Sequence, residues 1–274
     1  MALRVLIAGE VVGKPGIVVI KEFLSTFKKD KKIDFVISGN NFTTGFRGLC
    51  KRHVFLLRKY GVDVLTLGEN AFARSLLGDE LDKYSFILKP LNYPARLKGY
   101  SYFIYNVSGV RVAVIRLVGQ TGTTKYNFNN PFFAFDYICE KIKLQTNNII
   151  VLFDSNTTAE TNAMFFYLKS RVSVCFGIGR RILTADLRIL DDTAIITDLG
   201  RVGSLNSVIG CVPELEIDKF LKGFLHNRFT ESWEGLGFNG AIVEINDDGK
   251  AIFVENVREY ISFKGSLRGQ NDDI

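Results

Sequence analysis

Five short segments of this 274-residue chain are rich in small residues and in side chains that can bind ions or move protons. They are Gly9-Glu10, Gly39-Asn40-Asn41, Gly68-Glu69-Asn70, Asp154-Ser155-Asn156 and Gly177-Ile178-Gly179-Arg180-Arg181. Carboxylates and amides supply the hard oxygen donors that magnesium and calcium accept. A guanidinium supplies a planar fork for a carboxylate or a phosphate. Each segment alone is also ordinary turn chemistry, because Gly and Asn serve tight backbone geometry. Two phosphate-binding readings fail on spacing. In GEVVGK, three residues rather than four separate Gly9 from Gly13, and Pro15 stands where a P-loop places Ser or Thr on magnesium. Gly177-Ile178-Gly179 lacks the third glycine of a dinucleotide fingerprint. Cys50, Cys139, Cys175 and Cys211 form no CxxC pair and read as buried reduced thiols. The two histidines, His53 and His226, read as helix-surface or loop residues.

These segments fall where strands should end. Leu3 to Ala8 is an apolar run, followed by a glycine-bearing turn and helical periodicity through Ile17, Ile20, Phe23, Leu24 and Phe27. The alternation repeats with strand Ile33 to Ser38, helix Leu49 to Tyr60 and strand Val62 to Leu67, which predicts a largely parallel, layered α/β sheet. SYFIYNV and VRVAVIRLV, separated by Ser108-Gly109, read as an antiparallel hairpin that joins the sheet. Helix Phe133 to Lys143, strand Ile149 to Phe153, helix Ala159 to Lys169 and strand Val172 to Phe176 resume the pattern. Strands at Asp186 to Leu190 and Ala194 to Asp198, a helix at Glu216 to Phe224 and a hairpin about Asp247-Asp248-Gly249 complete it. In open sheets of this kind ligands collect at the carboxyl ends of the strands, which is where the five segments converge. Phe132, Phe133 and Phe135 read as ordinary core.

The composition is that of a globular protein, with 47% apolar and 23% charged residues. No repeat or linker divides the chain, so residues 1–260 read as a single domain and residues 261–274 as a polar carboxyl-terminal tail. No uninterrupted apolar run approaches the roughly 18 residues of a membrane helix, and the amino terminus lacks a secretory cleavage site; the expected location is cytoplasmic. The net charge of +6 admits a polyanionic partner, but Lys28, Lys29, Lys31 and Lys32 lie together at a helix end, where cations complement the helix dipole.

Taken in order, GEVVGKPG, SGNNFTTG, LGEN, the NYP at Asn92 to Pro94, the NPF at Asn130 to Phe132, TADLRIL, ITDLG and RFTESWEG resemble the YmdB family of dinuclear-metal phosphoesterases, a branch of the calcineurin-like superfamily. The resemblance runs from about Leu3 to Val257. It implies a four-layer α/β sandwich of mixed sheets flanked by helices, self-association, and hydrolysis of phosphodiesters such as cyclic nucleotides by metal-bound hydroxide. The family has links to RNA turnover, so RNA or its processing machinery enters as a partner class.

Against that pattern the site residues are altered. Glu10 stands for the family's first Asp, Asn40 for its bridging Glu, and Asn41 is kept. Glu69 stands for a ligand Asn, Asn70 for the catalytic His, Asp154 for a ligand His, and Gly179 and Arg181 for both histidines of the G-x-H-x-H motif. No intact catalytic residue remains in this reading. A dinuclear centre needs a carboxylate bridge and imidazole ligands. Asn40 is a poor bridge, Gly179 has no side chain, and Arg181 brings a fixed positive charge. No cofactor is expected, or at most a single magnesium or calcium ion on Glu10, Glu69 and Asp154. Three arrangements remain open for those acids: Arg181 bridges them in place of a metal, one hard cation binds them, or they face solvent. The leading expectation is a catalytically degenerate homologue, a pseudoenzyme that acts as a binding, scaffold or regulatory protein with a nucleotide or anion pocket near Asn41, Asn70 and Arg181. The alternatives are a phosphodiesterase with a rebuilt oxygen-ligand site and an RNA-associated binding protein.

Overall fold

The nine residues of β1 (Leu3–Val11) show how the fold is layered. Leu3, Val5 and Ile7 point into one apolar layer, while Leu6 and Ala8 point into another, as the two-residue period of a strand requires. A strand buried on both faces needs cover on both. A computed structural model describes residues 2–45, 47–73, 80–94, 96–122, 127–223 and 229–262. His226 and the tail from residue 263 lie outside the described residues.

Beyond β1 the chain runs through α1 (Gly13–Asp30), β2 (Phe35–Gly39), α2 (Lys51–Lys59), β3 (Val64–Thr66) and β4 (Ile87–Leu88). The hairpin β5 (Tyr102–Val107) and β6 (Val110–Val118) opens the second half. There follow α3 (Pro131–Lys143), β7 (Ile149–Asp154), α4 (Thr158–Leu168), β8 (Val174–Gly177), β9 (Arg188–Leu190) and β10 (Thr193–Ile196). The chain then returns through β11 (Arg201–Ser204), α5 (Pro213–Lys222), β12 (Leu236–Ile245) and β13 (Ala251–Tyr260).

Among the described residues the strands form two mixed sheets. The first has the order β13-β12-β11-β1-β2-β3-β4 and the second β5-β6-β7-β8-β10-β9. One apolar layer joins the first sheet to α1 and α2, a second lies between the sheets, and a third joins the second sheet to α3 and α4. The carboxyl ends of β1, β2 and β3 in one sheet therefore face those of β6, β7 and β8 in the other. The site residues must come from both sheets.

The sequence-based elements are recovered with shifted ends. α3 starts two residues before the expected Phe133, because Pro131 occupies its first turn and the Asn130 side chain caps it, accepting from the backbone N–H groups of Phe132 and Phe133. α5 likewise begins at Pro213. β4 and β11 were not anticipated. The sheets are mixed, as the resemblance implies: the alternating strands pair in parallel, while β12 runs antiparallel to both β1 and β11. Phe135 is core, whereas Phe133 is 72% exposed, which corrects its assignment. The basic end of α1 is held by ion pairs as well as by the dipole: Lys28 reaches Asp63 at 3.2 Å and Lys31 reaches Glu255 at 3.0 Å.

Candidate functional site

The alternation of β6 decides the site. Val112 and Val114 face the layer between the sheets, while Ala113, Ile115 and Leu117 face α3. Arg116 therefore points inward among apolar side chains, and it is fully buried. A buried guanidinium is tolerable only when paired. Its Nη2 donates to Glu10 Oε1 at 2.8 Å and to Asp154 Oδ2 at 3.0 Å, and its Nη1 reaches Thr66 Oγ1 at 3.3 Å. Glu10 and Thr66 belong to the first sheet, Asp154 and Arg116 to the second. One side chain pins the two sheets together at the carboxyl edge.

The neighbouring loops organise around this pair of acids. Glu10 Oε2 accepts from the Asn41 backbone N–H at 2.9 Å, and Asn41 Oδ1 accepts from the Asn70 N–H at 2.7 Å. Asn40 is turned into local bonds, accepting from Ser38 Oγ and donating to Thr43 Oγ1. Asp154 rests on two glycines. A Cβ on Gly68 would lie 2.5 Å from Asp154 Oδ2, and one on Gly179, whose φ is +114°, would collide with Asp154 Oδ1. Burial raises the Glu10 carboxyl above its ordinary value, the nearby Asp154 adds to the rise, and Arg116 opposes it.

Charge is nearly balanced. Glu10 and Asp154 carry two negative charges and Arg116 one positive; Arg180 Nη2, half-exposed, stands 3.8 Å from Asp154 Oδ1 and supplies a second. Arg181 does not bridge the acids, which corrects one of the three expected arrangements. Its guanidinium lies 4.1 Å over the Phe42 ring and its Nη1 donates to the Ile209 carbonyl at 3.4 Å. Nor do the acids face solvent, since Glu10 and Asp154 are both buried. Glu69 does not join Glu10 and Asp154 in a three-acid set; its backbone carbonyl accepts from the Tyr93 hydroxyl at 2.6 Å.

Two further acids hold the loops. Asp198, in ITDLG, accepts from the backbone N–H groups of Arg180, Ile182 and Gly200 at 2.7, 3.0 and 2.8 Å. Burial nonetheless pushes its carboxyl up to about 7. Asp186, in TADLRIL, receives the hydroxyls of Thr184 and Thr197. These motifs shape the loop that presents Arg180 and Arg181. His53 is buried, not on the surface: its Nδ1 lies 2.8 Å from Thr44 Oγ1, which accepts from the Cys50 N–H. Cys139, Cys175 and Cys211 are buried free thiols, and Cys50 is partly exposed.

The family described as YmdB-like protein matches residues 6–257. The chain belongs to the YmdB-like family. It is 30% identical over 258 residues to a 2',3'-cyclic-nucleotide 2'-phosphodiesterase of Bacillus subtilis (strain 168), covering 93% of this chain and 96% of that relative. It is 28% identical to a putative phosphatase/phosphodiesterase of Mycoplasma pneumoniae, covering 92% of this chain and 90% of the relative. A solved structure of a phosphatase from Mycoplasma pneumoniae superposes with a TM-score of 0.88 at 27% identity, covering 95% of this chain and 94% of that one. The two mixed sheets flanked by helices are thus the calcineurin-like metallophosphoesterase sandwich. Among the described residues, no helix is long and apolar enough to cross a membrane.

The metal pair implied for the YmdB-like family does not fit these side chains. Among the described residues no three of His, Cys, Asp and Glu converge on one point. The two acids that do approach one another share an arginine nitrogen within 3.0 Å of each, in the space a cation between them would need. Asn70, where the sequence resemblance expects a catalytic histidine, carries an amide that cannot act as a general acid or base near neutral pH. Arg116 escaped the sequence reading, although the signal was present: an arginine in the inward register of an apolar strand must find a buried acid.

Proposed function

We propose that this chain is a non-hydrolysing member of the YmdB-like family that acts by binding, as a scaffold or regulatory protein, and that it needs no metal to hold its site together. The observation that carries this reading is the single Arg116 nitrogen, Nη2, that donates to both Glu10 and Asp154. A fixed internal cation satisfies both acids and ties the sheets, the structural task that bound metal performs elsewhere. It cannot lower the pKa of a bound water as a metal does, so no hydroxide nucleophile is generated.

On this reading the ligand is a phosphate ester of the class for which the Bacillus subtilis relative is named. Its support is the cationic rim: Arg180 is half-exposed beside the site, and the loop that carries it is fixed by three backbone bonds to Asp198. A guanidinium on a held loop is suited to grip a phosphate. Phosphorus NMR of 2',3'-cyclic AMP mixed with the protein follows binding and cleavage in one sample. The expected result is a shifted or broadened resonance that Arg180→Ala abolishes, with no new phosphomonoester signal over hours in manganese, magnesium or calcium. Appearance of the monoester in proportion to enzyme would refute the reading.

A further inference from the structure

Lys89 is a charged residue that the site above does not use. It follows β4 at the junction of the two sheets, where its N–H donates to the Tyr100 carbonyl at 2.9 Å and the chain two residues on bonds Arg116 backbone. The residue is only 3% exposed, yet its ammonium reaches open space, and among the described residues no hydrogen bond or ion pair holds it. Burial alone pulls its pKa below the ordinary lysine value, with no acid to restore it. Lysines are rarely this enclosed, and an ammonium that opens onto an apolar cavity with no acid beside it favours a bound anion.

The side chain lines a cavity of about 610 Å³ between the β4–β5 connection and α3. The walls are apolar and aromatic, with Tyr93, Phe133 and Tyr137 prominent, and the Asn129 amide adds a polar group. Phe133 and Tyr137 lie one helical turn apart on α3 and are 72% and 77% exposed. Aromatic rings left in water beside an unpaired cation make the two halves of a recognition site: a flat apolar body on the rings, a negative group on the ammonium. The cavity volume falls in the range of small-molecule sites.

We propose that this cavity is a binding site for a small organic anion with a flat apolar body, held by Lys89 at its charged end and by Tyr93, Phe133 and Tyr137 along its ring. The ligand supplies the counter-charge that the fold leaves out. The site is separate from the Glu10–Arg116–Asp154 cluster and stands whether or not that cluster binds a phosphate ester.

The probe for the test is 1-anilinonaphthalene-8-sulfonate, an aromatic sulfonate whose fluorescence rises on entering an apolar pocket. One saturable site per chain is expected, competed by 1-naphthoate and not by the neutral 1-naphthamide. Lys89→Met should weaken binding at least tenfold while melting at or above the wild-type temperature, because it removes an unpaired charge from an apolar wall. Lys89→Arg should restore part of the affinity, and Tyr137→Ser, on the exposed wall, should weaken it without altering the melt. Equal binding by Lys89→Met, or competition by the amide as effective as by the acid, overturns the proposal. So does a fluorescence signal that appears only on dilution, which would mean that a second copy of the chain covers the face. A second readout is independent of any variant: the carbon-13 resonance of reductively dimethylated Lys89 should titrate below the other lysines and move upward when 1-naphthoate binds. An ordinary lysine titration, unmoved by 1-naphthoate, overturns the proposal as well.

Discussion

The carboxylate of Asp154 occupies the place where a side chain on residue 179 would begin. Gly179 has φ +114°, a conformation that residues with a Cβ rarely adopt, and an added Cβ would collide with Asp154 Oδ1. The two positions are therefore coupled: an acid at 154 in this rotamer requires glycine at 179.

Gly179→Ala tests that coupling. Backbone strain of about 1–3 kcal/mol and overpacking of similar size should together lower stability by roughly 3 kcal/mol or more. Asp154→Ala in the same chain should relieve the collision but leave the strain, and should also free Arg116 from one partner. Thermal melts of the single and double variants measure the coupling; simple additivity would show that the two positions do not interact.

Arg116→Met should be severely destabilising, by about 3–5 kcal/mol, since it leaves two acids buried with no cation between them. The deficit has a definite pH dependence. Burial already holds the Glu10 carboxyl above its ordinary value and Arg116 opposes this, so without Arg116 the folded variant holds a proton on Glu10 that the unfolded chain releases, and its stability falls as pH rises through the carboxylate range. Adding Glu10→Gln and Asp154→Asn to Arg116→Met should recover most of the loss, because the charges are then removed as a set. Urea melts at pH 5 and pH 8 separate these outcomes: a deficit equal at both values would mean that the loss is packing, not charge.

Cys50 should be the reactive thiol of the chain. Burial alone would raise its pKa, but hydrogen bonding with His53 and Thr44 outweighs this and brings it down to about 6, whereas burial raises Cys175 and Cys211. Iodoacetamide labelling followed by peptide mass mapping should modify Cys50 first, with a rate that rises through about pH 6 and levels off above it. His53→Ala should move that midpoint upward by at least one unit. A midpoint near 8.5 in the wild type would contradict the His53 contact.

Much of the architecture was legible because periodicity carries it. The alternation in LRVLIAGEV and VRVAVIRLV, the Ser108-Gly109 turn and the glycines that end β2 and β8 all reported local geometry, which sequence encodes directly. β11 was not legible. Its residues Arg201, Val202, Gly203 and Ser204 lack an apolar pattern, and the strand is held by Arg201 donating to the carbonyls of Arg181, Ser204 and Leu205. Those bonds depend on tertiary contact. The site divided in the same way. Glu10, Asn41, Asn70, Asp154 and Gly179 were named from the order of the loops, and the fold brings them together. Which cation joins the acids depends on which strand of the second sheet lies opposite β1, and that pairing put Arg116 there and left Arg181 against Phe42.

The most direct test of the account is metal content and turnover measured on the same freshly purified protein, with Arg116→Ala beside the wild type. Elemental analysis should find no stoichiometric manganese, iron or zinc in the wild type, and bis(p-nitrophenyl) phosphate should remain intact with added manganese, magnesium or calcium. Arg116→Ala, with its two acids released, should gain a thermal shift with divalent cations that the wild type lacks. Two transition metals per wild-type chain together with phosphodiester turnover would contradict the claim that Arg116 stands in for the metals.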